Sequence, residues 1–196
     1  MGRLKPLLPY GPGTVIEAVV RSLKASPVAE ILVVTGHRKD ELAAALADLV
    51  GDRETAAPEQ SAIGLRLVEN PDYRLGMLSS LRRGLAAAPA ATDWFLLALA
   101  DQPELPPAVV TQLLDAAGDQ PAVLIPTYAG RRGHPILIHA ALKPSIEALP
   151  DEGGLRQLWA RRPELVRHLP VTDPAVLHDM DTPEDYARLL ARREER

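Results

Sequence analysis

The chain reads as an α/β protein, a three-layer sandwich around a mostly parallel central sheet, and three observations predict it. Apolar strand-like runs alternate with helix-forming segments along the whole length. Seven apolar residues from Trp94 to Ala100 have no polar face, the pattern of a strand covered on both sides. Hydrophobic residues make up 46% of the 196, enough for one domain, 1–196, to bury a full core.

The elements follow in order. Gly11-Pro12-Gly13 is a turn, and Thr14-Val-Ile-Glu17 is a capping box that opens a helix to about Ala25. Glu30 to Thr35 is a buried strand, and Lys39 to Val50 is rich in the helix formers Ala and Leu. Gly51 to Gly64 has the composition of a surface loop, with a weak strand, Leu65–Glu69, after it. Met77 to Ala88 is a helix. The Trp94 strand must stop by Pro103, which cannot donate to a ladder. Pro106 to Ala117 is a helix with an early proline. Ala122–Pro126 and Pro135–Ile138 are short strands flanking a Gly-Arg-Arg-Gly loop. Helical stretches come next, near Ala140–Leu149 and Gly154–Arg161. Val166–Pro170 and Val176–Met180 read as short β segments, and Thr182 caps the last helix.

Composition removes several classes of function. A net charge of −4 and a pI near 5.7 leave no basic footprint for nucleic acid. With no cysteine, disulfides, thiolate metal sites and a cysteine nucleophile are out, which suits a cytoplasmic protein. No apolar stretch approaches the ~18 residues of a membrane span, and the N-terminal residues do not form a signal peptide. The dinucleotide fingerprint, the Walker loop and the Gly-x-Ser-x-Gly elbow are all absent. The five histidines lack metal-ligand spacing. What remains is a set of acids, glycine loops and basic residues at strand ends, which suits Mg²⁺-dependent chemistry on phosphates.

Four blocks carry that chemistry. Asp101 stands where the Trp94 strand leaves the core, at the edge where open sheets bind ligands; an ordinary turn aspartate is the plainer reading. Asp179 and Asp181 are two apart, so an extended backbone points both to one side. With Asp101 they would make a hard-cation site. Asp181 to Asp185 is also a good helix start, but Asp179 lies three residues ahead of the Thr182 cap, outside that explanation. Asn70 to Leu85 runs from a strand through Gly76 into a helix whose first turn bears Ser79 and Ser80. Free amides there can hold an anion or a base carbonyl, although a serine-capped helix accounts for this block on its own. Tyr128 to Pro135 is a loop with two glycines, Arg131 and Arg132 between them and His134 just after; a plain hairpin loop needs no function, but this concentration is unusual for one.

Taken together, these blocks resemble one family. Met1-Gly-Arg-Leu-Lys5, Asn70-Pro-Asp-Tyr73, Gly76-Met77, Ser79-Ser80-Leu-Arg82, Asp101-Gln-Pro103, Gly130-Arg-Arg-Gly-His-Pro135 and Asp179-Met-Asp-Thr-Pro-Glu-Asp-Tyr186 stand in the order found in MobA-like nucleotidyltransferases. The molybdenum cofactor cytidylyltransferase branch is the nearest match. The resemblance implies a Rossmann-like nucleotidyltransferase fold and transfer of a nucleoside monophosphate, CMP from CTP, to the phosphate of a molybdopterin-type cofactor. Pyrophosphate would be released and Mg²⁺ required. By position it makes Lys5 and Asp101 catalytic, and Asp101, Asp179 and Asp181 metal ligands. It assigns Gly2, Lys5, Gly76, Ser79 and Ser80 to the nucleotide, and Arg131, Arg132 and His134 to the acceptor. A molybdoenzyme or its chaperone is a further partner in this reading, with no role for nucleic acid or membrane.

Family members open with a first strand and a Gly-rich phosphate loop ahead of a Met-Gly-x-x-Lys. The sequence here starts at that Met, so the resemblance implies that both are lacking from it. A start codon set too far downstream is the favoured explanation, beside truncation and a descendant without catalysis. Two alternatives therefore stay open. One is a guanylyl- or sugar/isoprenoid-phosphate nucleotidyltransferase, and the other is an inactive nucleotide- or pterin-binding module.

Overall fold

The computed structural model describes residues 4–50 and 63–194. Lys5–Leu7 forms a 3₁₀ turn, and Pro9–Tyr10 (β1) and Gly13–Thr14 (β2) pair as a small hairpin around Gly11, whose φ is 65°. Helix α1 (Val15–Lys24) starts on the expected capping box: the Thr14 hydroxyl accepts from the Glu17 amide, and the Thr14 amide donates to Glu17 Oε2 at 2.7 Å. Its face of Val15, Ile16, Val19 and Val20 is buried.

Strand β3 (Glu30–Thr35) pairs in parallel with β4 (Gly64–Glu69) across the crossover helix α2 (Lys39–Leu46). The helix is shorter than its composition suggests because Ala47–Leu49 tightens into a 3₁₀ turn, a common way of satisfying terminal carbonyls. Most of the expected surface loop, 51–62, lies outside the described residues.

Helix α3 (Met77–Ala87) leads to β5 (Trp94–Leu97), α4 (Pro107–Asp115) and β6 (Val123–Tyr128). The chain then turns through β7 (Arg131–Arg132) into β8 (Ile136–His139), antiparallel between β5 and β6. After α5 (Lys143–Glu147) and α6 (Arg156–Arg161), β9 (Val166–Pro170) joins β6 in parallel, and α7 (Pro183–Glu194) ends the described chain. Strands β5, β6 and β9 therefore share one direction and β8 opposes them.

Side chains alternate across this sheet as the pleat demands. Phe95, Leu97, Val123, Ile125, Ile136 and Ile138 face one core with α3, α5 and α6. Trp94, Leu96, Leu124 and Leu137 face the other with α4. Those two cores with the sheet between them are the three predicted layers.

Four local expectations are corrected. Ala140–Leu142 is a 3₁₀ turn ahead of α5, so the helix of 140–149 is short, and α6 begins at Arg156 because Gly153 and Gly154 adopt positive φ. Val176–Met180 is not a strand. Asp173 Oδ1 accepts from the Ala175 amide at 2.9 Å and Pro174 has no N–H to give a ladder, so 174–177 coils into a 3₁₀ turn. Finally, β5 ends at Leu97 and all four of its residues are only half-buried. The reason is topological. β3 pairs only with β4, β5 pairs only with β8, and among the described residues no strand occupies the other edge of either. Helix α3 spans both sheets: Leu78 and Leu85 enter the core beside β5, and Gly84 would set a Cβ only 3.2 Å from Val34 of β3.

Candidate active site

Asp101 sits half-buried in the turn that follows β5, with Gln102 to Pro106 buried behind it. Burial raises its carboxyl above the ordinary 3.8. Its own backbone amide and the Lys5 ammonium pull it down, while the charges of Asp181 and Asp179 push it up. These four groups thus share one electrostatic neighbourhood, although they come from both ends and the middle of the chain. Lys5 Nζ also donates to Asp181 Oδ1 at 3.3 Å.

Asp179 and Asp181 keep the predicted alternation. Met180 between them is fully buried and both aspartates are exposed, so their carboxylates stand on the solvent side. Asp185 of that block has another task. The Thr182 amide donates to Asp185 Oδ2 at 2.7 Å and the Asp185 amide donates to Thr182 Oγ at 3.1 Å, a reciprocal cap on α7.

His134 reaches this neighbourhood through a slip in strand register. β6 pairs Val123 with Ile138 and Leu124 with Leu137, but Thr127 with Arg132, so the returning strand carries two extra residues between the two stretches. The surplus is taken up around Gly133-His134-Pro135, which includes a cis peptide before Pro135. The Gly133 amide stays on the Pro126 carbonyl at 2.8 Å, while the His134 amide leaves the ladder for the Val176 carbonyl at 2.9 Å. Burial lowers the imidazole below its ordinary 6.5, and the Asp179 charge opposes that shift.

Gly76, Ser79 and Ser80 form a second group at the head of α3. Gly76 is the N-cap at φ 97°, with open space where a Cβ would stand, and no side chain caps the helix. The helix is therefore not serine-capped. Ser79 Oγ reaches the carbonyls of Asp72 and Gly76 at 3.0 and 2.8 Å, and the buried Asn70 amide donates to both Ser79 Oγ (2.9 Å) and Ser80 Oγ (3.0 Å). Sequence reading gave Asn70 no task. The available signal was an amide between a strand and a helix start. Among the described residues no hydrogen bond or ion pair links this cradle to the carboxylates.

Arg131 and Arg132 are exposed on β7, where Arg132 Nε donates to His168 Nε2 at 3.0 Å, and neither is bonded to the aspartates. Gly2 lies outside the described residues. Glu104, also unassigned from sequence, is the buried acid behind Asp101 and contacts His178 and Arg192.

Among the described residues no three Asp, Glu or His side chains converge to enclose a metal ion by themselves. The donor set nevertheless suits Mg²⁺ or Mn²⁺, which take one or two carboxylates and complete their shell with water and substrate phosphate. Asp101 is raised chiefly by burial, and the charges of Asp181 and Asp179 add to that rise.

Residues 1–168 match the profile of the MobA-like NTP transferase domain. The chain is 32% identical, over 95% of its length and 87% of the relative's, to nicotine blue oxidoreductase of Paenarthrobacter nicotinovorans. It is 26% identical to the molybdenum cofactor cytidylyltransferase of Escherichia coli K12, over 95% and 86%. A nucleotidyl transferase structure from Methanothermobacter superposes with a TM-score of 0.80 at 27% identity, covering 97% of this chain and 85% of that one. A Mycobacterium tuberculosis H37Rv protein solved in complex with manganese gives 0.72 at 27% identity, covering 97% and 93%.

Proposed function

From this chain's membership of the MobA-like NTP transferase family, whose activity is nucleotidyl transfer, we propose that it moves CMP from CTP to the phosphate of a molybdopterin-type cofactor. An oxygen of the acceptor phosphate attacks the α-phosphorus, a new P–O bond forms, the bond from the α-phosphorus to the bridging oxygen of the β-phosphate breaks, and pyrophosphate leaves. The observation that carries the reading is the cluster of Asp101, Asp179, Asp181 and Lys5, each felt at Asp101.

Such a transfer needs positioning and cancellation of charge rather than a covalent intermediate. Asp101, with Asp179 or Asp181, would hold a divalent cation, Mg²⁺ in this reading, which neutralises phosphate charge when bound. Lys5, now spread over Asp181 at 3.3 Å, supplies a mobile positive charge for the triphosphate. The uncapped amides of α3 and the Gly76 opening offer donors to the nucleotide, with Ser79 and Ser80 held by Asn70. His134 beside Asp179, with Arg131 and Arg132 on β7, would meet the acceptor. Among the described residues no helix is long and apolar enough to cross a membrane, and the reaction proposed here takes place in the cytoplasm.

Pyrophosphate release tests the proposal, with each nucleoside triphosphate, Mg²⁺ or Mn²⁺, and the cofactor as acceptor. Release with CTP and acceptor together supports it. Release with GTP alone overturns the cytidylyl assignment, and release with a sugar phosphate in place of the cofactor overturns the acceptor. The 32% identity to a protein named an oxidoreductase favours a second reading, electron exchange between an organic substrate and a soluble electron carrier supplied with it. Substrate reduction matched by oxidation of an added reduced carrier, without pyrophosphate release, would establish that reading in place of the first.

A further inference from the structure

We infer that Glu104 is a positioning residue that sets the distance between the Asp101 turn and the Asp179–Asp181 segment, and this rests on the metal-binding reading above. Its side chain is 1% exposed. Glu104 Oε2 lies 2.8 Å from His178 Nδ1 and accepts from Arg192 Nε at 3.1 Å. One carboxylate oxygen thus joins three places separated by 74 and 88 residues of chain: the turn after β5, the segment entering α7, and the last turns of α7 itself.

The placement is what gives the clamp its consequence. Glu104 lies three residues after Asp101, in a turn closed by the Leu105 amide on the Gln102 carbonyl at 3.3 Å. Pro103 and Pro106 restrict the backbone on either side of it. His178 immediately precedes Asp179, and Met180, fully buried, anchors the next residue. Movement at Glu104 is therefore passed to Asp101 on one side and to Asp179 on the other through short, constrained backbone.

A carboxylate buried among apolar neighbours is retained only where cationic or hydrogen-bonding partners compensate it. Arg192 supplies that charge and His178 the second contact. Neither Asp101 nor Asp179 has a direct bond to the other's segment, so among the described residues Glu104 is the polar side chain that ties the two together. It touches no substrate in this reading and acts through the two aspartates it holds apart.

The test is Mn²⁺ affinity of the full chain, read by electron paramagnetic resonance of free Mn²⁺ at a temperature where circular dichroism shows every variant folded. Glu104→Ala is expected to raise the Mn²⁺ dissociation constant about tenfold, the lower end of what supporting residues cost a metal site. Arg192→Met, which breaks the clamp from the partly exposed helix side, is expected to move it in the same direction and serves should Glu104→Ala fail to fold. Leu158→Ala, a core truncation in α6, is expected to lower the melting temperature and leave the Mn²⁺ affinity unchanged. An unchanged affinity in whichever clamp variants fold, with a lowered melting temperature, overturns the inference. Asp101→Asn separates the two ideas: if it leaves Mn²⁺ binding unaltered, the metal reading itself has failed, and if it weakens binding while the clamp variants do not, only the clamp has.

Discussion

Gly133 lies against the backbone of Val176 so closely that a Cβ added there would stand 2.4 Å from the Val176 carbonyl oxygen. That same oxygen receives the His134 amide at 2.9 Å. Any side chain at 133 must push the loop off the segment that leads to Asp179. Gly133→Ala is expected to lower pyrophosphate release by about a hundredfold, the scale of a 1 Å misplacement. The stability loss should be about 1–3 kcal/mol, as for other overpacked sites. Steady-state kinetics beside a denaturant melt checks both.

Asp101→Asn should reduce turnover by at least about a hundredfold, as losing a principal electrostatic group does. The fold should not suffer, because a neutral amide replaces a half-buried carboxylate that faces Asp179 and Asp181. A variant with a wild-type melting curve and no turnover is the expected result. Full activity would remove Asp101 from the site.

Asn70 is buried and holds both serines of α3 from below. Asn70→Ala is expected to raise KM for the triphosphate about tenfold with a smaller change in kcat, since it loosens a binding loop and leaves the carboxylates in place. Its stability cost should be about 1–3 kcal/mol from polar groups left without a partner.

Arg82 belongs to the family-like motif but has a structural task. It donates to the carbonyls of Ile146 (3.4 Å) and Leu149 and pairs with Asp151, closing the end of α5 onto α3. Arg82→Ala should lose about 2 kcal/mol of stability, read by urea titration, with kcat unchanged at 25 °C.

Glu17 gives a pH signature. Burial raises its carboxyl, but hydrogen bonds from Thr14 and the Arg21 charge outweigh it and leave the group below its ordinary 4.5. A carboxyl depressed in the folded state stabilises above its unfolded value and loses that contribution as pH falls through the folded value. Glu17→Gln should therefore be less stable than the parent by about 1 kcal/mol at pH 7, the worth of a helix cap, and the gap should close below about pH 4.5. Thermal melts across that range check the sign.

These expectations divide by the range of the interactions behind them. Both helix caps, at Thr14 and Thr182, were legible because their partners lie three residues away. The outward pair Asp179 and Asp181 was legible because alternation is a local property of extended chain. Asn70 was not, since a buried amide has value only once the strand and helix it joins are placed together.

The sequence by itself determined most of the succession of strands and helices, the caps, and the placing of Asp101 shortly after a strand, all written in spacings of two to four residues. Only the tertiary structure decided that β3 and β5 each keep an edge without a partner strand among the described residues, the register slip that lifts His134 out of the ladder, and the Glu104 clamp. Strand order and register are set by which distant surfaces pack best, and no local period carries that choice.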